Sequence, residues 1–448
     1  MVFRNVLLYI CLTLIASISV FAQTINLEQA RELALINSRS LARYEIAIRS
    51  SILDEKSQFF SMLPQVSANY DASAYYLRNW DFVNPVDTMQ AGASLSITQI
   101  IFQGGKSFIQ KAISEISTER IRKDALSEYF SVLDAVDSAY YAVLEAAAAV
   151  EAEELSLKAS EMTLSIAEIR KDGGMINQGD YLKALNDKEA RENSFNQARR
   201  NLSLSMTRFK NLVGITGNVE LEQINFDAYE NLLMRLLAVS DEEADELYDK
   251  FLQIASASNP SLARASLSSQ IAEQNHTLSK RDYFPTIRAT IFTGGINLDI
   301  NGFNRSSGHG GITISGSIPL DFWVLSNKVE RNKAALESAA IDYINAEKSL
   351  EQELLNTLSN IYSQAGSVLS SGRSLEYTEV HFEFIMERYR LSLSSVSDLT
   401  EATSLLMSSR NNLNKATYSF LQSLSRLRSL CAIDNEDELI NILLSPRR

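Results

Sequence analysis

Few residues of this sequence have the types and spacing that chemistry requires, and the carboxylates of Asp398 and Glu401 are the most informative of them. Residues three apart lie on one face of an α-helix, and this pair falls at the start of a predicted helix. Asp180 holds the matching place in an earlier predicted helix. Carboxylates that ring a narrow passage would raise the local cation concentration and repel anions. The alternative is that Asp398 stabilises the helix dipole and that Glu401 is simply solvated.

No other constellation of side chains indicates catalysis or metal binding. His276, His309 and His381 are scattered, and the sequence contains no HExxH, CxxC or glycine-rich phosphate loop. No nucleophile with a recognisable base is present. We therefore expect neither an enzyme nor a cofactor nor a metal site. The formal net charge of −13 also argues against nucleic-acid binding, because phosphate recognition needs a basic surface.

The first residues of the chain have the features of a secretory signal peptide. An apolar run from Val6 to Phe21 follows a basic residue, and Val20 and Ala22 are small residues placed for signal-peptidase cleavage. We expect the mature chain to begin at Gln23, with an N-terminal membrane anchor as the alternative. No later apolar run reaches the length of a spanning helix. Cys431 is then the only mature cysteine, so no internal disulfide is expected.

The chain contains an internal duplication, which is the strongest signal for its organisation. Leu41-Ala42-Arg43 recurs as Leu262-Ala263-Arg264, and Pro64 and Pro285 follow the two copies at the same distance. This early part of the repeat recurs after 221 residues, and the late part after 218. The predicted segments are a signal peptide at 1–22, a first repeat at 23–213, a connecting segment at 214–241, a second repeat at 242–430 and a tail at 431–448.

Each repeat is predicted to contain a helix, two strands, a long helix and a return helix. The predicted helices are Asn26–Met62, Lys106–Asp172, Asp180–Leu212, Glu242–Arg281, Lys328–Leu391 and Val396–Leu430, with Gly366 and Gly372 as candidate irregularities in the fifth. The second of them lacks Gly and Pro and would extend roughly 100 Å, which implies a coiled-coil-like assembly. Short connections make each long helix and its return helix an antiparallel αα-hairpin.

Four segments alternate between apolar and polar residues, as strands with one apolar face do. They are Val66–Tyr76, Ala91–Thr98, Ile287–Ile291 and Ile312–Ile318, joined within each repeat by the predicted loops Arg78–Thr88 and Asn297–Gly311. The pattern fits the wall of an outer-membrane barrel, with Ala68, Tyr70, Leu95, Ile97, Ile312 and Ile314 toward lipid and Ser96, Thr313 and Ser315 toward water. An ordinary half-buried sheet would give the same pattern.

Four strands from one chain cannot close a barrel, and unpaired strand edges in lipid cost several kcal/mol for each backbone group. If the strands enter the membrane, the chain must therefore oligomerise, and three copies would supply twelve strands. A periplasmic coiled-coil protein with a structural or tethering role is the rival hypothesis. That hypothesis accounts for the long helices but not for the four amphipathic strands.

The motifs, in this order, resemble those of the TolC family of outer-membrane efflux proteins. The matching segments are Leu27-Glu28-Gln29-Ala30, Asn259-Pro260-Ser261-Leu262, the helix-ending Pro64 and Pro285, the strand ends Gln99–Gly105 and Ile318–Phe322, and Arg388–Leu391 followed by Asp398. The resemblance covers nearly all of the mature chain. The sequence departs from the family at Ile100, where members have proline, at Ser392, where they usually have glycine, and at Ser394, where some have arginine.

The resemblance implies a mostly α-helical protein with a small β part. Long antiparallel helical hairpins would form a trimeric periplasmic tube, and four strands per protomer would join a 12-stranded barrel in the lipid of the outer membrane. The implied partners are two further copies of the chain, a periplasmic adaptor protein and an inner-membrane transporter. The expected function is an exit duct, either for efflux or for type I secretion.

The resemblance also assigns roles to residues at the two hairpin turns. Asp398 and Glu401 match acidic residues that line the constricted pore entrance, Asp180 holds the equivalent place in the first repeat, and Tyr389 matches a tyrosine involved in closure. The turns themselves are predicted adaptor-docking tips, because the ends of αα-hairpins can meet a helical partner end to end. Their candidate residues are Gly173, Gly174, Gly179, Ser392 and Ser394.

Overall fold

The computed structural model describes residues 23–77, 86–293, 298–299 and 310–444. The predicted signal peptide and most of the two predicted strand-to-strand loops lie outside these residues. The chain consists of two compact units. The strand unit comprises Arg43–Ala125 and Pro260–Glu347, and the tip unit comprises the chain up to Ala42, Leu126–Asn259 and the chain from Lys348.

The predicted order of helices and strands is confirmed in both repeats. Through the end of the connecting segment the elements are β1 (Gln23–Ile25), α1 (Leu27–Asn37), α2 (Arg39–Phe60), β2 (Gln65–Leu77), β3 (Val86–Phe102), α3 (Lys106–Asp172), α4 (Gln178–Val213), β4 (Val219–Leu221) and α5 (Glu230–Leu237). They continue with α6 (Asp241–Ser258), α7 (Pro260–Lys280), β5 (Thr286–Thr293), β6 (Leu298–Asp299), β7 (Gly310–Ser317), α8 (Phe322–Arg390), α9 (Val396–Leu430) and α10 (Glu436–Leu444). Two short 3₁₀ turns, Phe226–Tyr229 and Arg281–Tyr283, complete the described chain.

The first helix predicted for each repeat is in fact two helices, so that prediction is wrong in both places. Ser38 separates α1 from α2 with ψ 113°, and Asn259 separates α6 from α7 with ψ 118°, both of them extended. At the second break the following proline disfavours a helical conformation for the residue before it. At each break an asparagine donates to a carbonyl at the end of a return helix, Asn37 Nδ2 to Val213 at 2.9 Å and Asn259 Nδ2 to Leu430 at 2.9 Å.

The two long helices are uninterrupted, with 67 residues in α3 and 69 in α8. The irregularities expected at Gly366 and Gly372 are absent, because both glycines lie inside the regular helix α8. A glycine in a helix interior costs about 1 kcal/mol relative to alanine, which a helix of this length tolerates. Among the described residues, no helix combines the length and the apolar character that crossing a membrane would require.

Five strands form an antiparallel sheet in the order β2-β3-β5-β7, with the short β6 paired to β3, and β1 pairs with β4 in a separate parallel sheet. Residues in register share a face, and Val66, Ile97, Ile291 and Ile312 occupy one row across all four strands. The next row holds Thr98, Thr290 and Thr313 on the opposite face, and the hydroxyls of Thr98 and Thr290 lie 3.2 Å apart. In these two rows the predicted alternation is confirmed, with apolar residues on one face of the sheet and threonines on the other.

The junction between the strands and the helices depends on a close approach of Gly104 to Phe284. A Cβ atom added at Gly104 would lie 2.7 Å from the Cβ atom of Phe284, which leaves no space for any side chain. Just before this junction the register of β3 shifts between Ile100 and Phe102. A bulge of this kind interrupts the pairing of the strand and bends it locally.

Candidate functional site at the hairpin tips

The first hairpin turns at Gly173 and Gly174, directly after α3. Gly174 has a φ of +68°, and the backbone N–H of Met175 donates to Arg170 at 2.8 Å. The backbone N–H of Gly174 donates to Lys171 at 2.9 Å, which completes the two bonds of a Schellman motif. Asn177 then begins α4 as its N-cap, its side chain accepting from the backbone N–H of Asp180 at 2.9 Å.

The second hairpin turns in the same geometry without a glycine. Ser392 adopts a φ of +65°, and the backbone N–H of Leu393 donates to Arg388 at 2.8 Å while that of Ser392 donates to Tyr389 at 3.0 Å. The bond pattern is again that of a Schellman motif, so Ser392 supports the same turn here as Gly174 does in the first hairpin. A non-glycine residue in this left-handed region costs roughly 1 to 2 kcal/mol.

Asp398 has a defined role at the start of α9. The backbone N–H of Ser395 donates to its carboxylate at 2.9 Å, and the hydroxyl of Ser395 accepts from the backbone N–H of Asp398 at 3.2 Å. This is a capping box, and these hydrogen bonds to Ser395 hold the pKa of Asp398 below its ordinary value. The stabilisation is present above the ordinary pKa and is lost as the pH falls through the lowered one. Asp398 therefore takes part in the cap of α9, and its carboxylate remains exposed.

Glu401 and Asp180 complete the set of predicted carboxylates. Glu401 is exposed one turn after Asp398 on α9, and Asp180 is half-buried at the third position of α4. Asp180 and Asp398 occupy equivalent places after their N-caps, Asn177 and Ser395. The structure thus places one carboxylate in the first turn of each return helix. It places Glu401 one turn later, on the second return helix only.

Tyr389 joins the two hairpins in one chain. Its side chain is fully buried, and the guanidinium carbon of Arg170, from the last turn of α3, lies 4.4 Å from its ring centroid. Arg170 also donates to the carbonyl of Tyr389, and the Tyr389 hydroxyl donates to the carbonyl of Thr163 at 3.4 Å. Burial raises the pKa of Tyr389, an effect that Arg170 opposes and Asp180 reinforces. A cation–π contact in a buried place is worth up to roughly 2 kcal/mol.

An apolar cluster surrounds this contact and includes all four helices of the two hairpins. Its buried members are Ala167, Ala184, Met386, Tyr389, Val396 and Leu399. Two polar contacts join the return helices beyond it, with Lys183 donating to Ser397 at 2.5 Å and Arg191 to Ser404 at 2.6 Å. No pattern in the sequence predicts these contacts of Arg170, Lys183 and Arg191, because nothing in their spacing indicates which helix of the other repeat they face.

The surfaces of the turns are apolar and exposed. Met175 on the first tip and Leu391 and Leu393 on the second each keep more than half of their surface accessible. Ser394 is half-buried, and its hydroxyl donates to the carbonyl of Ile385 at 3.3 Å. Gly179 is exposed in the first turn of α4, next to the side chain of the N-cap Asn177. In the described part of the chain, no group of three His, Cys, Asp or Glu side chains could hold a metal ion.

Comparison with known proteins identifies the family of the chain. The sequence matches the family described as outer membrane efflux protein over residues 30–215 and 251–432. The chain belongs to the outer membrane efflux protein family. It is 21% identical over 451 residues to the outer membrane protein TolC of Escherichia coli (strain K12), a match that covers 95% of this chain and 86% of TolC. The resemblance drawn from the sequence motifs is confirmed.

Solved structures of outer membrane channels share the fold of this efflux protein. The Campylobacter jejuni channel CmeC superimposes with a TM-score of 0.75 at 14% identity, over 92% of this chain and 88% of CmeC. The open state of the Neisseria gonorrhoeae channel MtrE gives a TM-score of 0.73 at 16% identity, over 90% of this chain and 88% of MtrE. The efflux protein is an outer-membrane protein whose helical part is a periplasmic tube.

Proposed function

We propose that three copies of this efflux protein form an outer-membrane channel, an exit duct for substrates delivered by an inner-membrane transporter and a periplasmic adaptor. The observation that carries the proposal is the pair of equivalent hairpin tips, which are joined by the contact between Arg170 and Tyr389. An acidic residue lies in the first turn of the return helix that follows each tip. A periplasmic tether without channel activity needs neither the contact between the two hairpin tips nor the apolar face of the sheet.

In this proposal the tips form the entrance of the duct, and Asp398 and Glu401 form rings of carboxylates around it. Three copies of each carboxylate about one axis would attract cations and repel anions, and would offer hard oxygen ligands to a multivalent cation. The capping role of Asp398 is compatible with this one, because its carboxylate accepts from Ser395 while remaining exposed. Energy for transport comes from the partner, since the sequence carries no glycine-rich phosphate loop.

Removing the charge of the two carboxylates is expected to reduce cation selectivity and to relieve block by a trivalent cation applied from the periplasmic side. The double variant Asp398→Asn with Glu401→Gln is suited to this test, because an asparagine oxygen can still accept from Ser395 and preserve the helix cap. Reversal potentials in a salt gradient and single-channel block in planar bilayers measure the effect. The circular-dichroism melt should stay almost unchanged.

Glu387→Gln is the matched control for this experiment. Glu387 is an exposed carboxylate in the last turn of α8 and pairs with Arg390 at 2.8 Å, so it lies near the same tip without belonging to the proposed rings. It should leave selectivity and block unchanged. Unaltered selectivity and block in the double variant would show that Asp398 is only a cap and that the constriction lies elsewhere.

If the adaptor binds at the hairpin tips, residues of the two turns should contact it. A photo-cross-linker at Met175 or Ser394 is expected to capture a periplasmic adaptor, because Met175 is exposed on the first tip and Ser394 lies in the second turn. The captured protein would be identified by mass spectrometry of whole cells cross-linked in their native state. The same reagent at Arg78 or Arg305, in the predicted strand-to-strand loops, should capture none. Capture from the loop positions alone would invert the proposed topology.

A further inference from the structure

The helices of the strand unit follow the order of its strands. Helix α2 contacts α3 through the hydroxyls of Ser51 and Thr118, which lie 2.6 Å apart. Helix α3 contacts α7 through the ion pair of Asp124 and Arg264 at 3.6 Å. The 3₁₀ turn after α7 contacts α8, where the rings of Tyr283 and Phe322 stack with centroids 6.3 Å apart. The resulting order, α2-α3-α7-α8, leaves α2 and α8 at the ends, and in the chain these two helices adjoin the edge strands β2 and β7.

Of these three contacts, only the one between α3 and α7 joins the first repeat to the second. The other two lie within a repeat. A ring built from successive copies needs one further contact between a first repeat and a second repeat. That contact would be between α8 of one copy and α2 of the next. The internal duplication therefore identifies the residues that should make it.

The two shifts of the duplication are supported by the structure. The breaks at Ser38 and Asn259 are 221 residues apart, as are Pro64 and Pro285. In the long helices, a shift of 218 residues aligns buried positions of α3 with buried positions of α8. The pairs are Val136 with Leu354, Val143 with Ile361 and Ser160 with Thr378, and every member of them is almost fully buried.

We propose that α2 of one copy packs on α8 of its neighbour in the way that α7 packs on α3 within the chain, and that Arg43 of one copy pairs with Asp342 of the next. The first shift carries Arg264 to Arg43, and the second carries Asp124 to Asp342, so both members of the ion pair recur as identical residue types. Arg43 and Asp342 are exposed, and within the described ranges neither belongs to an ion pair.

Apolar side chains around this pair support the same neighbour. Ile46, Leu53 and Phe60 recur at intervals of seven along α2 and are each about 60% exposed, on the face opposite the one that packs on α3. The counterpart of Ile46 in the second repeat is Leu267, which is half-buried in α7. Burying a side chain such as Leu or Ile is favourable by roughly 1.5 to 3 kcal/mol, so a solvent-facing row of three is costly.

The facing side of α8 shows the same contrast. Ile341 and Ile344 are exposed beside Asp342, whereas their counterparts Lys123 and Leu126 on α3 are half-buried. The faces of α7 and α3 that are half-buried within the chain therefore correspond to exposed faces on α2 and α8, the two end helices of the strand unit. A second copy of this chain would cover both exposed faces, because its α8 would pack on α2 of the first copy. The proposal rests on the trimer proposed above and names the surfaces that form it.

Chemical cross-linking tests the assignment. The full-length double variant Arg43→Cys with Asp342→Cys, treated with a bismaleimide about as long as an arginine side chain, should yield covalent dimers and trimers on denaturing gels. The double variant Arg264→Cys with Asp124→Cys is the matched control, because the same chemistry at equivalent positions should link within one chain and leave the monomer band. Native Cys431 is buried and should not react.

A displaced pair and a charge swap complete the experiment. Arg43→Cys with Glu330→Cys moves one thiol twelve residues along α8, roughly 18 Å, and should give no covalent oligomer. Arg43→Asp should lower the temperature at which the detergent-solubilised trimer dissociates, and adding Asp342→Arg should restore it. Trimers on native gels without cross-linking of Arg43→Cys with Asp342→Cys would overturn the assigned surfaces and leave the channel intact. The absence of any trimer would contradict the channel itself.

Discussion

Replacing Asp137 by alanine is expected to destabilise the efflux protein by about 3–5 kcal/mol, because it removes the buried carboxylate that pairs with two arginines. The carboxylate of Asp137 is fully buried and accepts from Arg31 at 2.6 and 2.8 Å and from Arg428 at 2.9 Å. Ser425 donates to the same carboxylate. Arg428 is itself almost completely buried, so water cannot replace the lost partner.

The same cluster connects four helices of the tip unit. Arg31 belongs to α1, Asp137 to α3 and Arg428 to α9, and Glu436 of α10 lies 3.3 Å from Arg31. The hydroxyl of Tyr229 donates to Glu436 at 2.6 Å, which adds the segment before α5. Loss of Asp137 should therefore loosen the docking of α10 as well as lower the melting temperature.

Circular-dichroism melts of the detergent-solubilised protein would measure the effect. Glu353→Ala is the control, since Glu353 pairs with Arg426 where both side chains are more than 40% exposed. Removing an exposed ion pair should cost less than about 1 kcal/mol. Asp137→Asn should fall between the two, because the amide keeps the shape of the carboxylate but one of its oxygens becomes a donor. Equal melting temperatures for Asp137→Ala and Glu353→Ala would contradict a structural role for the buried cluster.

Leu95→Arg is expected to block insertion of the protein into the outer membrane, whereas Ser96→Arg is not. Leu95 belongs to the apolar face of the sheet, in register with Ala68 on β2 and Thr293 on β5. Ser96 lies on the opposite face, where its hydroxyl is 2.7 Å from that of Ser67. An arginine on the lipid face of a barrel costs roughly 2–4 kcal/mol near the midplane and far less in the lumen.

The two variants are matched because they introduce the same side chain at adjacent positions of one strand. Membrane fractionation, followed by gels without heating, would report how much protein reaches the outer membrane as a detergent-resistant trimer. The expected result is a strong loss for Leu95→Arg, whose penalty recurs in every copy, and near-normal insertion for Ser96→Arg. Equal insertion of both variants would mean that the apolar face does not meet lipid.

The sequence by itself determined the element order, the sheet faces and the family. Alternation along β2, β3, β5 and β7 and the uninterrupted helix α3 are periodic patterns of neighbouring residues, so they can be read without knowing which elements meet. The two faces of the sheet follow from the same cause, since side chains alternate along any strand. The duplication was also visible, and with it the equivalence of Asp180 and Asp398. The five predicted segments remain a prediction.

Other features depended on residues that are distant in sequence, and only the tertiary structure decided them. Asp137 lies 106 positions from Arg31 and 291 from Arg428, and no local pattern indicates that these charges are buried together. Arg170 likewise meets Tyr389 across 219 residues. The capping role of Asp398 is local, but its solvent exposure beside the second tip is not. Periodicity reports which face of an element is apolar, whereas the choice of partner for that face depends on how whole elements pack.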